Sequence, residues 1–249
     1  MITFIIQART GSTRLPNKIL LPFYDNKSIL ELLIEKLRKV NNTRIIIATS
    51  SESNCDAIES LSEQMKVKCF RGSEKNVLQR FIDAAQKFGA ERIIRVCSDN
   101  PFLELKSIQT LVAKAMSQEN ADYISFRIGS CPSIKTHYGF WTEYVTLKAL
   151  KKVNLLTNDL LYREHVTNYI YSNPEMFNIE WIDAPDAIMS HPDIRLTIDT
   201  SEDFENAQRI YGVLCDKQNY PTIEDVINYL DNHQDYYKLM RKQIAKNNK

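Results

Sequence analysis

The chain has 249 residues, with 32 Lys plus Arg against 31 Asp plus Glu and a formal net charge of +1. That length suits one large α/β domain with a small appendage and is short for two large domains. Balanced charge gives no general attraction to nucleic acid or to an anionic membrane, so neither is expected as a partner and any anion site must be local.

In chain order, ITFII (2–6), TRIIIAT (43–49), VKCF (67–70), RIIRVCS (92–98) and ADYISF (121–126) read as strands. Helical patterns lie between them over about 28–40, 54–64, 75–88 and 104–118. β-Branched runs alternating with amphipathic stretches mark βαβ units. The expected fold class is therefore α/β, a three-layer sandwich around a mostly parallel, Rossmann-like sheet. Ser28 followed by Glu31 predicts a capping box for the first helix, whose Ile29, Leu32, Leu33 and Leu37 share one face. Ligands of such sheets bind beyond the carboxyl ends of the strands, so the loops after Ile6, Thr49, Phe70 and Cys97 are the ones expected to matter.

Past residue 127 the periodicity changes. Residues 127–146 carry Gly129, Pro132, Gly139 and many aromatics, and helical stretches follow near 146–153 and 158–172. This predicts an excursion from the main sheet over 127–172 that covers the site or contacts a second subunit. A return strand from Arg195 to Ile198 and helices over 201–214 and 222–231 would close a single domain spanning 1–249. Asp235 to Lys249 is expected to be a polar tail, a frayed surface helix. The five cysteines are widely spaced, with no CxxC or Cys/His ligand pattern, and suit a reduced, cytoplasmic compartment. The apolar run Met1–Ile6 meets Gln7, Arg9 and Arg14 and lacks the organisation of a signal peptide. No stretch approaches the ~20 apolar residues of a membrane span.

The densest chemistry lies directly after the first strand, in Ala8-Arg9-Thr10-Gly11-Ser12-Thr13-Arg14-Leu15-Pro16-Asn17-Lys18. A glycine-containing loop in that place turns backbone N–H groups toward a phosphate chain, while Arg9, Arg14 and Lys18 add charge-assisted bonds. It is neither GxxxxGK[ST] nor GxGxxG, because Gly11 stands alone. Asp99 follows the 92–98 strand, in a turn before Asn100-Pro101, and lies several residues too early to cap the helix at 104. A metal-ligand role suits it. Asp199 ends the predicted 195–198 strand just before a helix start, where capping by Asp199 or Asp203 competes with ligation.

These residues resemble the cytidylyltransferases that activate acidic sugars, namely the acylneuraminate and 3-deoxy-manno-octulosonate enzymes, and in particular the spore-coat polysaccharide branch. The ARxGSxRLPxK opening is matched at every defined position by Ala8 to Lys18. Four further blocks follow in the family's order: Phe70-Arg71-Gly72-Ser73-Glu74, Arg95 to Phe102, Arg163-Glu164-His165-Val166-Thr167 and Leu196 to Phe204.

The resemblance implies in-line attack of a substrate hydroxyl on the α-phosphorus of CTP, with Mg²⁺ as cofactor and pyrophosphate as leaving group. Arg9, Arg14, Lys18 and Asp99 would be catalytic, the cations neutralising the leaving group. The metal carboxylates would be Asp99 and Asp199, an oxygen set of the kind Mg²⁺ takes. Nucleotide contacts would come from Ala8, Arg9, Gly11, Ser12, Arg14, Lys18, Arg71, Ser73 and Ser98. From the residues alone, Arg71 is equally a turn residue, Ser73 equally an N-cap, and cytosine is not told from uracil.

The acceptor would be a small acidic sugar held by Glu143, Arg163, His165 and Tyr169, the last three in a pattern like the R-x-H-I-x-x-Y of the octulosonate enzymes. Where the family commonly has Asp two residues after the glycine, Gly139 is followed by Trp141, which would reshape that pocket. The family pairs through the excursion, which implies a homodimer. Two other readings are a nucleotidyltransferase of this fold with another base or a polyol phosphate or choline phosphate acceptor, and a sugar-nucleotide-dependent glycosyltransferase. The basic loop argues against the latter, since a bound diphosphate needs less positive charge than a leaving pyrophosphate.

Overall fold

The computed structural model describes residues 1–216 and 219–246. Strand β1 (Ile2–Gln7) is buried on both faces, and its alternating side chains seed two cores: Ile2, Phe4 and Ile6 join one cluster and Ile5 the other. A hairpin of β2 (Pro22–Tyr24) and β3 (Lys27–Ser28) follows, turned by Asp25 and Asn26 at φ 50° and 57°. Two consecutive positive φ values suit a tight hairpin, and Asp and Asn tolerate them. Helix α1 (Ile29–Leu37) begins with the expected capping box. Ser28 Oγ accepts from Glu31 N, and Glu31 Oε2 accepts from Ser28 N at 2.8 Å.

The predicted βαβ units then appear in order: β4 (Thr43–Ser50), α2 (Asp56–Gln64), β5 (Lys68–Gly72), α3 (Val77–Lys87), β6 (Arg92–Cys97) and α4 (Leu105–Ser117). β1 pairs in parallel with both β4 and β6, and β4 with β5. The N-cap of α3 is Asn76, not Ser73; Ser73 Oγ instead accepts from Asn76 N at 3.0 Å, one step outside the helix.

The region after residue 127 departs from the sequence expectation. β7 (Tyr123–Ile128) and the short β8 (Cys131–Pro132) are followed by β9 (Glu143–Thr146), which inserts antiparallel between β6 and β7. The excursion thus starts in the sheet at β7 and returns to it midway at β9. Four residues are too few for a strand period to show in sequence, and the aromatics just before β9 mask it. α5 (Leu147–Leu156) follows, but the helix expected over 158–172 is two pieces, α6 (Leu160–Glu164) and α7 (Asn168–Ser172). His165 is the C-cap of α6, at φ −99° and ψ 71°, and Thr167 turns its hydroxyl onto Glu143 at 2.8 Å. That side-chain bond outcompetes helix continuation. β10 (Ile179–Asp183), absent from the sequence reading, pairs in parallel with β7, and α8 (Asp186–Met189) follows.

The eight-stranded sheet has the order β10-β7-β9-β6-β1-β4-β5, with β8 on β7. The return strand expected at Arg195–Ile198 is instead an extended segment without a ladder. Leu196 N and Thr197 N both donate to His137 O, and Ile198 N donates to Asp99 O. Apolar Leu196 and Ile198 alternate with polar Arg195 and Thr197, which mimics a strand pattern in sequence, although all four are buried. α9 (Ser201–Leu214) and α10 (Ile223–Asp231) fall where expected. α11 (Asp235–Lys246) is docked rather than frayed, burying Tyr237, Met240 and Gln243, while residues 247–249 of the predicted tail lie outside the described residues. Helices α1, α4, α9, α10 and α11 cover one face of the sheet and α3, α5 and α7 the other. No helix among the described residues is long and apolar enough to cross a membrane.

Candidate active site

A cavity of about 950 Å³ opens where β1 and β6 end. This is the upper end of the roughly 300–1,000 Å³ range of ligand pockets. The loop after β1 forms one wall, the turn after β6 the floor, and residues 133–141 with α6 and α7 the opposite wall. Arg9, Gly11, Ser12, Arg14, Lys18, Ser98, Asp99, His165 and Asp199 all line it, so nine of the sequence candidates meet at one place.

The loop is shaped by its own small residues. Ser12 N and Asn17 N both donate to Thr10 O, Thr10 Oγ1 donates to Asn54 O at 2.7 Å, and Ser12 Oγ accepts from Leu15 N. Gly11 lies against Glu74, whose Oε1 would be 2.9 Å from a Cβ at that position, so a side chain there would make the Glu74 carboxylate shift. Ser98 Oγ donates to Gln7 O at 2.7 Å, fastening the turn that carries Asp99 to the end of β1.

Two carboxylates and one ammonium form the centre. Lys18 Nζ is 3.5 Å from Asp99 Oδ2 and 3.8 Å from Asp199 Oδ1, and it donates to Ile198 O. Asp199 also accepts from Arg14 Nη2 and Arg195 Nη2, each at 2.8 Å. Burial pushes the Asp199 carboxyl up, but Lys18, Arg195 and Arg14 together hold it below the usual carboxylate range. Asp199 does not cap α9. Thr200 does, with Asp203 completing a capping box, while Asp203 and Asp199 grip the fully buried Arg195 side chain from two sides. The competition left open by spacing is thereby resolved in favour of a carboxylate that faces the cavity.

The same arrangement tests the metal. The Lys18 ammonium is a cation already surrounded by Asp99, Asp199 and a backbone carbonyl oxygen, a hard all-oxygen set that suits Mg²⁺. Among the described residues, no group of three or more His, Cys, Asp and Glu side chains is arranged to hold a metal. Substrate oxygens and water would have to complete the shell, as is usual for Mg²⁺ at phosphate.

Sequence reasoning missed the floor. Arg95 on β6 lines the cavity and is buried, with Nη1 on Glu143 Oε1 at 2.5 Å and Nε and Nη2 on Gln7 Oε1 at 3.2 and 3.0 Å. Burial pulls its pKa down, but Cys97 and Glu143 more than offset this, so it stays charged. Glu143 itself lies behind this floor, outside the cavity lining. Its oxygens accept from Arg95, Thr167 and Tyr123, the last at 2.5 Å, leaving it a positioning group in this arrangement. The signal available in sequence was an arginine in the middle of an apolar strand, since a buried charge demands a partner.

Other candidates stand apart from the cavity. Arg163 Nη2 donates to Asn154 O and to Asn158 Oδ1, tying α6 to the end of α5. Tyr169 packs edge-on against Tyr162 and Phe177. Arg71 is held by Asp56 at 2.7 Å, Glu59 at 2.8 Å and the carbonyls of Ser50, Ser51 and Glu52. Ala8 is fully buried, its N–H donating to Ala48 O. Ser73 belongs to a loop whose carbonyls, Ser73 O and Glu74 O, accept from the buried Arg80 at 2.5 and 3.3 Å. Arg9, by contrast, reaches across the cavity mouth toward Glu164, 3.7 Å away, linking the loop after β1 to α6.

A basic loop after the first strand facing two carboxylates across a deep cavity has counterparts among known proteins. Over 202 residues the chain is 39 % identical to an uncharacterized protein of Methanocaldococcus jannaschii, covering 81 % of this chain and 79 % of that one. It is 32 % identical over 218 residues to the spore coat polysaccharide biosynthesis protein SpsF of Bacillus subtilis, covering 84 % and 86 %. In three dimensions it superimposes on a cytidylyltransferase from Leptospira borgpetersenii serovar Hardjo-bovis with a TM-score of 0.82 at 28 % identity, over 94 % of this chain and 95 % of that one. Residues 3–244 match the cytidylyltransferase family profile, a span that takes in every cavity-lining residue named above. The chain is accordingly a nucleotidyltransferase that belongs to the cytidylyltransferase family.

Proposed function

We propose that the protein transfers CMP from CTP to a hydroxyl of an acidic sugar of the nonulosonic or 3-deoxy-ulosonic type, releasing pyrophosphate, in the cytoplasmic assembly of a surface polysaccharide. The observation that carries this reading is the meeting of Asp99, Asp199 and Lys18 beside Arg9 and Arg14 at the carboxyl edge of the sheet. Family membership supports the cytosine nucleotide, and the relationship to the SpsF protein supports the polysaccharide role.

In this mechanism Arg9, Arg14 and Lys18 bind the triphosphate and neutralise the charge that grows on the leaving pyrophosphate. Asp99 and Asp199 would hold Mg²⁺, which would supply further charge neutralisation to the phosphates. When the triphosphate enters, Arg14 and Lys18 exchange Asp199 for phosphate oxygens. Arg195 keeps Asp199 oriented, because its guanidinium stays locked between Asp199 and Asp203. Asp99 accepts the proton of the attacking hydroxyl. Arg95, a buried cation on the cavity floor, supports an acceptor that carries a carboxylate. His165 on the opposite wall contacts the sugar.

The active unit is a homodimer formed through the 127–172 excursion. The exposure of Leu155 (86 %) and Leu160 (81 %) supports an apolar contact there. The direct test is pyrophosphate release from CTP, UTP, TTP or GTP with Mg²⁺ and a panel of sugar acids, polyol phosphates and choline phosphate. Release that needs both CTP and a sugar acid is expected. Turnover confined to another nucleotide, or to a phosphorylated alcohol, would replace this reading.

A further inference from the structure

Asn100 Oδ1, Trp141 Nε1 and Thr197 Oγ1 have no hydrogen-bond partner among the described residues, although these residues are only 6 %, 5 % and 5 % exposed. All three line the cavity. The other buried atoms in this condition, including two nitrogens of Arg80 and Asn154 Oδ1, belong to residues outside the cavity lining. Native proteins leave few buried polar groups unpaired, so three lining one cavity call for a partner that the protein does not itself supply.

The three segments that carry these atoms are stitched into one surface. Ile198 N donates to Asp99 O at 3.0 Å, Glu104 N to Phe140 O at 2.9 Å and Thr197 N to His137 O at 3.2 Å. Gly139, at φ +73°, lies so close to the third segment that a Cβ there would be 3.1 Å from the Leu196 carbonyl carbon. Asn100 adjoins Asp99 in sequence, and Thr197 precedes Asp199 by two positions, so the surface borders the two carboxylates. The Trp141 ring is fixed by stacking at 5.7 Å on Phe126 and by edge contacts with Tyr138 and Phe140, which fixes the direction of its N–H.

The chemistry of the three atoms is complementary. An indole N–H only donates, an amide oxygen only accepts, and a threonine hydroxyl does either. A run of sugar hydroxyls offers the matching set, because each hydroxyl both donates and accepts. We propose that Asn100, Trp141 and Thr197 form a subsite that grips the polyhydroxylated body of the acceptor beside the catalytic carboxylates, and that this subsite selects polyol acceptors over alcohols that carry no further hydroxyls. The proposal rests on the reading of the cavity as a nucleotidyltransferase site, but not on the acceptor being an acid.

The test uses Thr197→Val and Trp141→Phe, which remove a polar atom while keeping most of the shape. Two readouts are taken: pyrophosphate release with CTP, and the change in tryptophan fluorescence of wild type against Trp141→Phe on adding neutral polyols, sugar acids or phosphocholine. Each variant is expected to lose about fivefold or more in kcat/KM for the acceptor, the loss typical of one hydrogen bond. The KM for CTP and the melting temperature are expected to hold or, for temperature, to rise. Polyols and sugar acids are expected to shift Trp141 fluorescence, and phosphocholine is not. A neutral polyol that serves where sugar acids fail would overturn the acid reading and leave this subsite standing. Unaltered acceptor kcat/KM in both variants, a fluorescence response to phosphocholine alone, or no response to any polyol would overturn the subsite itself.

Discussion

Arg14 Nη2 and Asp199 Oδ1 are 2.8 Å apart, although 185 positions separate the two residues in sequence. The contact draws the loop after β1 against the segment that precedes α9, and the Arg14 side chain remains 50 % exposed. An exposed pair of this kind contributes little to stability, so the change of partner that the proposed mechanism asks of Arg14 costs little. Arg14→Ala and Lys18→Ala are each expected to cut turnover by ~10²-fold or more through lost stabilisation of transition-state charge. Melting temperatures should change little for Arg14→Ala. Pyrophosphate release at wild-type rates in both variants would remove the loop from the mechanism.

Asp99 and Asp199 flank one ammonium and, in the proposed mechanism, one Mg²⁺. Asp99→Asn and Asp199→Asn each keep the shape and remove one negative charge, and each should abolish most activity and raise the Mg²⁺ concentration needed for the remainder. Because both act on one ion, the double variant should be scarcely worse than either single one. Thr200→Ala is the control, since Thr200 caps α9: it should cost about 1 kcal/mol of stability while leaving the Mg²⁺ profile intact. An Asp199→Asn enzyme with wild-type metal dependence would show that the two carboxylates do not share an ion.

Glu143 is the sole carboxylate bonded to the buried Arg95 among the described residues. Glu143→Ala is expected to destabilise the fold by about 3–5 kcal/mol in urea titrations, because it strands a buried guanidinium and orphans Tyr123 and Thr167. Glu143→Gln keeps one oxygen acceptor for Arg95 and Thr167 and turns an amide N–H toward the Tyr123 hydroxyl, so it should cost less. If Glu143→Ala unfolds at the wild-type midpoint, the buried network is not what holds β6, β7, β9 and α7 together.

Lys36 on α1 is fully enclosed, donating to Pro101 O at 2.9 Å and Leu103 O at 2.7 Å just beyond the Asp99 turn. Burial draws its amine down from 10.5 to about 7. Between those values the unfolded chain binds a proton that the folded chain does not, so this group makes stability rise with pH from about 7 to 10.5. The wild type should therefore gain on Lys36→Met by up to about 1.4 kcal/mol per pH unit within that window. Urea unfolding at pH 7.5, 8.5 and 9.5 checks it; parallel curves would mean that the amine stays charged in the fold.

The exposed leucines at the end of α5 and the start of α6 predict self-association. Light scattering should give twice the chain mass at micromolar concentration, and Leu155→Asp combined with Leu160→Asp should return the monomer. A monomeric wild type at high concentration would sink the dimer.

The parallel half of the sheet was legible because β-branched runs such as Arg44 to Ala48 and amphipathic helices such as α3 carry long, regular periods. Asp99 and the cations after β1 were legible because their places beyond β6 and β1 follow from that topology, whereas Asp199 follows an extended segment that belongs to no ladder. The rest was hidden for particular reasons. β9 has four residues, β10 has a half-buried pattern without contrast, and Leu196 and Ile198 alternate like a strand yet bond irregularly. His165 and Tyr169 looked one helical turn apart, but Thr167 breaks the helix to reach Glu143, which sends His165 to the cavity and Tyr169 to the far core. Contacts that depend on side chains meeting from five different elements, as around Arg95, have no local signature.

β6 bonds in parallel to β1 on one edge and antiparallel to β9 on the other. It is a seam between two pieces of opposite grain, with the basic loop after β1 on one side and the 123–183 segment on the other. Backbone ladders are indifferent to which side chains flank them, so the far piece is free to diverge without disturbing the near one. In the proposed mechanism the cations that meet the triphosphate stand on the near side of that seam, while Trp141 and His165, which meet the acceptor, come from the far side.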